Sequence, residues 1–378
     1  MSDSRVIYSE ISRFDFLLGL VIAGLMLLGL VMVASASMDL AAQRMQQPFY
    51  YFLRQLAFAG MGVGMGAFIF LIPMAIWQRL SVALLLLGMG LLILVLIPGL
   101  GHEVNGSLRW LKWGYFQWQP SELVKLFLIL YLAGYLVRRS MQIRTEWRGL
   151  MNALFVVIIV AGLILLQPDY GTAVVLFVTV MGMLFLAGVP MRQFLLSLGL
   201  VSVALSALVW LAPYRMARLT AFLDPWADPF NSGFQLTQAL IAIGRGEWFG
   251  VGLGNSVQKL TYLPEAHTDF LFAILAEELG LFGVIIVIAG FAFLVLRTFW
   301  IAIQTERLGH YYSAYVCYGI GLLLGLQVSI NLGVNMGLLP TKGLTLPLMS
   351  YGGSSLVTVC FLLAVLLRVD FETRQHLI

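Results

Sequence analysis

Long apolar runs separated by short polar connections dominate the chain. A helix needs about 20 predominantly apolar residues to cross the hydrocarbon of a bilayer. Runs of that kind fall near residues 14–36, 51–73, 78–98, 121–137, 150–166, 171–188, 193–212, 270–297, 311–334 and 354–368. Ten runs predict an all-α, polytopic integral membrane protein whose termini face the same side. Runs five and six are separated only by QPDYG, so they form a helical hairpin. The first run ends in Ala34-Ser35-Ala36 after Arg5 and Arg13, which resembles a cleavable leader. It is longer than the ~7–15 apolar residues of a leader, and is read as a retained span.

Arginines orient the bundle. One set of connections, beginning with the N-terminus, holds Arg5, Arg13, Arg79, Arg138, Arg139, Arg144, Arg148, Arg192, Arg297, Arg307, Arg368 and Arg374. The opposite short loops hold only Arg44, Arg109, Lys112 and Lys342. Basic residues are retained on the cytoplasmic side, so both termini are expected there. Residues 213–269 form a long loop on the outer face, between spans seven and eight. Connections of that length are usually functional or disordered. This one has Gly, Pro and aromatic punctuation, and its stretch Gly233 to Ile243 reads as a short amphipathic helix on the membrane. No soluble domain or repeat breaks the pattern, so residues 1–378 are read as one transmembrane domain.

Composition agrees. The chain is 61% hydrophobic and 11% charged, with mean hydropathy +0.94, against about 25% charged residues in a soluble protein. The net charge of +4 is scattered over short loops and does not point to nucleic acid. Cys317 and Cys360 lie in apolar runs and read as small packing residues.

Polar residues inside or beside the spans change the picture, because ionisable groups in a membrane are costly and functional use is the default hypothesis. LPEAHTDF places Glu265, His267 and Asp269 just before span eight. Asp269 reads either as a first-turn acid favoured by the helix dipole or as a desolvated general base. His267 is read as scaffold. Glu277 and Glu278 lie two turns further on, where at least one must face a polar cavity. Lys125 follows Glu122 at i+3, which makes either a helix ion pair or a lysine reaching into a cavity shared with Glu277 or Glu278. The loop before span four carries Trp110, Trp113, Tyr115, Phe116 and Trp118 with Arg109 and Lys112. It reads as an interfacial aromatic belt or as a contact for a phosphorylated substrate. Gly352, Gly353, Ser354 and Ser355 open span ten, as an anion cradle or as a tight turn. No Cys/His metal spacing, Walker loop or nucleophile elbow is present.

The stretches RWLKWGYFQWQPSELVKL, QPDYGTA, DPWADPFNSGFQLTQALIAIGRGEWFGVGLGN, LPEAHTDFLFAILAEELG and GLLPTKGLTLPLMSYGGSS occur in this order over nearly the whole chain. Together they resemble the SEDS family (shape, elongation, division, sporulation), and GVGLGNSVQKLTYLPEAHTDF is closer to its cell-division member than to its elongation member. The resemblance implies an inner-membrane peptidoglycan glycosyltransferase that polymerises lipid II at the division septum, with its active site facing the periplasm. It implies a class B penicillin-binding protein transpeptidase and other division-complex membrane proteins as partners. Carried over residue by residue, the family's essential acid falls on Asp269, its PSE-K positions on Glu122 and Lys125, its loop tryptophan on Trp110 and its loop glutamine on Gln238. Leu108 departs from the polar or basic residue common there and weakens a phosphate role for Arg109. The implied chemistry is attack of an acceptor sugar hydroxyl, activated by Asp269, with expulsion of undecaprenyl pyrophosphate. Arg109, Arg215, Arg218, Arg245, Lys259 and Lys342 are the candidate pyrophosphate contacts, beside a divalent cation, Mg or Mn. The alternatives are a lipid II flippase, with Glu277, Glu278 and Lys125 lining its path, an elongation-type polymerase, and a non-catalytic scaffold.

Overall fold

The structure, a computed structural model, describes residues 14–104, 107–113, 116–210, 213–260 and 262–377. Arg5, Arg13 and Tyr115 lie outside the described residues, as do the side chains of Trp113, Phe116 and Arg215. Among these described residues thirteen helices and three short strands follow in order. They are α1 Phe16–Met45, α2 Tyr50–Phe70, α3 Met74–Leu96, β1 Gly101–Val104, β2 Ser107–Trp113, β3 Phe116–Trp118, α4 Pro120–Arg138, α5 Ser140–Thr145 and α6 Trp147–Leu166. Then come α7 Tyr170–Leu186, α8 Met191–Trp210, α9 Pro213–Leu223, α10 Phe234–Gly246, α11 Leu271–Arg307, α12 Tyr311–Asn335 and α13 Gly353–Leu377.

Each expected span has a helix at its place. Among the described residues eight are long and apolar enough to cross a membrane; α7 is shorter, at 17 residues, and α8 runs for 20. The amphipathic stretch in the outer loop is α10. α9, in the same loop, is an element the hydropathy pattern did not suggest. The all-α expectation needs one amendment. The loop between α3 and α4 is a three-stranded antiparallel meander, β1-β2-β3, in which Trp110 pairs with His102.

α4 is the central helix. It packs against α3, α12 and α7, and its middle, Leu126 to Leu130, is almost completely buried. α13 lies on α2, and α11 lies along α12 and α1. Polar contacts sort the helix ends into two groups. At one end Asp15, the N-cap of α1, accepts from Arg297 and from Arg374 at 3.0 Å. There too the Met74 amide donates to Glu372 at 3.1 Å, and Arg368 donates to the Phe70 carbonyl at 3.3 Å. At the opposite end His267 packs, with tilted rings, between Tyr51 at the start of α2 and Tyr351 just before α13.

α11 is not one helix. Gly280 has φ 63° and ψ −168°, a region open essentially only to glycine. It divides a half-helix, Leu271 to Leu279, from a longer limb. Val251 and Gly252 donate their amides to the Glu277 and Glu278 carbonyls at 3.0 and 3.1 Å, and the Leu281 and Phe282 amides donate to the Glu247 and Trp248 carbonyls at 2.9 and 3.1 Å. The segment 247–252 thus satisfies the backbone groups that the break frees, which a membrane protein cannot leave open to lipid.

Candidate functional site

Asp269 sits two residues before the half-helix, in a loop turned sharply by Glu265 at φ 57°. The Glu265 carbonyl accepts from the Thr268 and Phe270 amides at 3.1 and 3.3 Å, closing that turn. The backbone of Asp269 is held from α12. Asn331 and Asn335, one helical turn apart, each donate a side-chain amide to the Asp269 carbonyl at 3.0 Å. Asn335 also accepts from the Ala273 amide at 3.1 Å, and Asn331 donates to the Leu344 carbonyl at 2.7 Å. One asparagine pair therefore joins the Asp269 loop, the half-helix and the segment leading to α13. The sequence reading missed both residues. The signal was there as NLGVN, two amides four apart at the end of an otherwise apolar span.

The Asp269 carboxylate itself accepts no hydrogen bond from a described residue. It is half-buried, and burial pushes it up to about 7, reinforced by the Glu265 charge and opposed by Arg218. An acid poised there exchanges protons at neutral pH. Gly343 passes so close that a Cβ on it would lie 3.2 Å from Asp269 Oδ2. Its neighbour Lys342 is half-buried, lies 5.2 Å from the Tyr170 ring centroid, and is held below the usual lysine range by burial. Burial likewise lowers the pKa of His267, and its two aromatic neighbours fit the scaffold role read for it.

Other expected site residues are engaged elsewhere. Arg109 donates to the Gln167 and Pro168 carbonyls and lies 3.8 Å from Asp169, so it ties β2 to the hairpin turn QPDYG. Asp169 caps α7 through Thr172 and accepts from Gln119 at 3.2 Å. Lys125 bonds Glu122 at 2.8 Å, both side chains buried. The expected cavity shared by Lys125 with Glu277 or Glu278 is therefore corrected: the lysine is satisfied one turn away on its own helix. The two glutamates do not lie within a continuous span either. They precede the break at Gly280, where Glu277 pairs with Arg245 at 3.2 Å and Glu278 with Lys259 at 2.9 Å. A single glycine in an apolar run hides such a break from periodicity. Lys259 is thereby consumed as a pyrophosphate candidate. The cradle at Gly352–Ser355 is also occupied. Gly352 donates its amide to Gln55 at 3.3 Å, and Gly353 has no room for a Cβ beside Phe58. Trp110 and Gln238 are half-buried on β2 and α10, and Arg218 is exposed on α9.

Fold and site together define a multi-pass membrane protein built around a loop carboxylate near neutrality. The chain matches the family of cell cycle proteins FtsW, RodA and SpoVE over residues 16–375. It belongs to that family. The probable peptidoglycan glycosyltransferase FtsW of Nitrosococcus halophilus is 57% identical over 359 residues, 95% of this chain and 92% of that protein. The corresponding protein of Halorhodospira halophila is 52% identical over 364 residues, 96% and 92% of the two chains. Among solved structures, a chain from a study of polymerization and crosslinking by a peptidoglycan synthase complex superposes with a TM-score of 0.78 at 32% identity, over 95% of this chain and 98% of its own. The rod shape determining protein RodA of Thermus thermophilus gives 0.70 at 30% identity, over 94% and 96%.

Proposed function

We infer that this chain is a peptidoglycan glycosyltransferase of the division type, which polymerises lipid II into β-1,4 glycan on the outer face of the cytoplasmic membrane. The observation that carries the reading is Asp269, a half-buried carboxylate raised to about 7, on a loop whose backbone is fixed by Asn331 and Asn335. Asp269 takes the proton from the acceptor sugar's 4-hydroxyl. The hydroxyl oxygen attacks the anomeric carbon of the growing chain on the opposite side from undecaprenyl pyrophosphate, which leaves, and the α-linked donor becomes a β-linked product. The pyrophosphate carries concentrated charge and needs cationic partners. Lys342, beside Gly343 at the carboxylate, and Arg218, which lowers the pKa of Asp269, are the described basic residues best placed to serve.

A divalent cation, Mg or Mn, at the pyrophosphate would add charge stabilisation. Among the described residues no three His, Cys, Asp or Glu side chains cluster to hold a metal ion. The donor set thus fits no protein-made cage, and no step is routed through a metal. The partner we propose is a class B penicillin-binding protein at the division septum, supported by the likeness to a chain of a peptidoglycan synthase complex. The flippase reading loses support. The ion pairs of Lys125, Glu277 and Glu278 are locally satisfied, and the middle of α4 is apolar. The test is purified protein with its transpeptidase given labelled lipid II. Glycan ladders support the polymerase; transfer between leaflets without ladders makes the chain a flippase.

A further inference from the structure

Four charged side chains gather at the break in α11 and take no part in the proton transfer proposed above. Glu277 and Glu278 are completely buried. Glu278 accepts from Ser35 Oγ at 2.7 Å, Lys259 Nζ at 2.9 Å and the Ser256 amide at 3.4 Å. Glu277 accepts from Ser256 Oγ, the Val257 amide at 3.1 Å, the Gln258 amide at 3.4 Å and Arg245 at 3.2 Å. Lys259 spends its other two protons on Ser35 Oγ at 3.1 Å and the Gly254 carbonyl at 2.7 Å, which completes its three donors.

This knot joins α1, the turn 254–259 and the half-helix. The Lys259–Glu278 pair also closes a loop of chain on itself, and Asp269 lies near the middle of that loop. Buried ion pairs contribute little net stability, and well-packed apolar replacements are often neutral. Stability alone therefore gives weak reason for three buried charges, Lys259, Glu277 and Glu278, here. The Asp269 carboxylate has no hydrogen-bond donor among the described residues, so its place is set by its backbone, through the asparagine pair and the two ends of the loop. We infer that Lys259 and Glu278, seconded by Arg245 and Glu277, are positioning residues that hold Asp269 at its working place and depth. The inference rests on Asp269 being the base.

The variants that test it are Lys259→Met, Glu278→Gln and the double variant, which leaves no unpaired charge. Misplacement on the scale of 1 Å costs a rate about 10²-fold, so kcat for lipid II polymerisation should fall by about that factor with KM changed less than about twofold. The acidic limb of the rate profile should move as well, because the surroundings of Asp269, with Glu265, Arg218 and Lys342 around it, would change. A readout independent of activity uses Asp269→Cys with Cys317→Ala and Cys360→Ala. The pH midpoint of its reaction with a water-soluble maleimide should shift when Lys259→Met is added. An unchanged thiol midpoint and rate profile, or activity lost only in proportion to folded protein, overturns the inference. If the parent protein makes no glycan, the proposed function fails, and the thiol titration still decides whether the knot positions residue 269.

Discussion

Asp269 illustrates how a single residue trades stability for chemistry. Its folded pKa stands near 7 and its ordinary value is 3.8, so the folded state holds the proton more tightly than the unfolded chain. The sign then follows from linkage: the carboxyl's contribution to stability is full below about pH 4, declines as pH rises, and is gone above about pH 7. Asp269→Asn, which cannot ionise, should melt higher than the parent at pH 8 in detergent and show a smaller difference at pH 4. The same variant should lose polymerisation by about 10²–10⁴-fold, the usual worth of a general base. Higher stability without loss of activity would remove Asp269 from the reaction. The rate of the parent should rise with pH through about 7 as the base ionises. Glu265→Gln removes a negative neighbour that opposes ionisation, and should move that limb to lower pH. An unmoved limb would mean that another group governs it. At this scale the sequence was partly legible. The acid stood out by its crowding with Glu265 and His267, whereas its elevation depends on burial, and its fixation depends on two asparagines 62 and 66 positions away.

Among the elements, α11 shows where periodicity stops informing. The run FLFAILAEELGLFGVIIVIAG reads as one span because an isolated glycine is tolerated in a helical pattern. Only the fold reveals that Gly280 meets the segment 247–252, whose own Gly250 has φ 77°. A Cβ on Gly280 would come within 2.3 Å of the Gly250 nitrogen, and one on Gly250 within 2.2 Å of the Glu278 carbonyl oxygen. Each glycine thus supplies both a backbone conformation and the room for a close approach. Gly250→Ala and Gly280→Ala should each cost more than about 2 kcal/mol, adding overpacking to conformational strain. Because the two positions touch, the double variant should lose less than the sum. Thermal melts in detergent measure both quantities. Full additivity would show that each glycine acts alone and that the contact between them matters little. The β1-β2-β3 meander was missed for a related reason. Its tryptophans and aromatics are what a membrane interface selects, so composition alone did not distinguish a sheet from a belt.

For the molecule as a whole, hydropathy located every principal helix, because lipid imposes a length and a composition that few other constraints override. The expected bounds of α7 and α8, 171–188 and 193–212, also lie within two residues of the observed helix ends. Sidedness rests on the arginines and on the sorting of helix ends. Arg297, Arg368 and Arg374 gather with Asp15 and Glu372 at one end, and the Asp269 loop lies with Tyr51 and Tyr351 at the other. Basic residues are retained inside, so we expect the arginine end in the cytoplasm and Asp269 outside. Reporter cysteines test this, and the structure dictates where they go. Ser256 and Thr305 are buried in hydrogen-bonded sites, whereas Asn255, Leu338, Thr145 and Gly309 are exposed. With the buried Cys317 and Cys360 replaced by Ala, a membrane-impermeant maleimide added to intact spheroplasts should label Asn255→Cys and Leu338→Cys. Thr145→Cys and Gly309→Cys should label only after the membrane is opened. The reverse pattern would turn the molecule over and place Asp269 in the cytoplasm, where a polymerase building an external wall has no use for it.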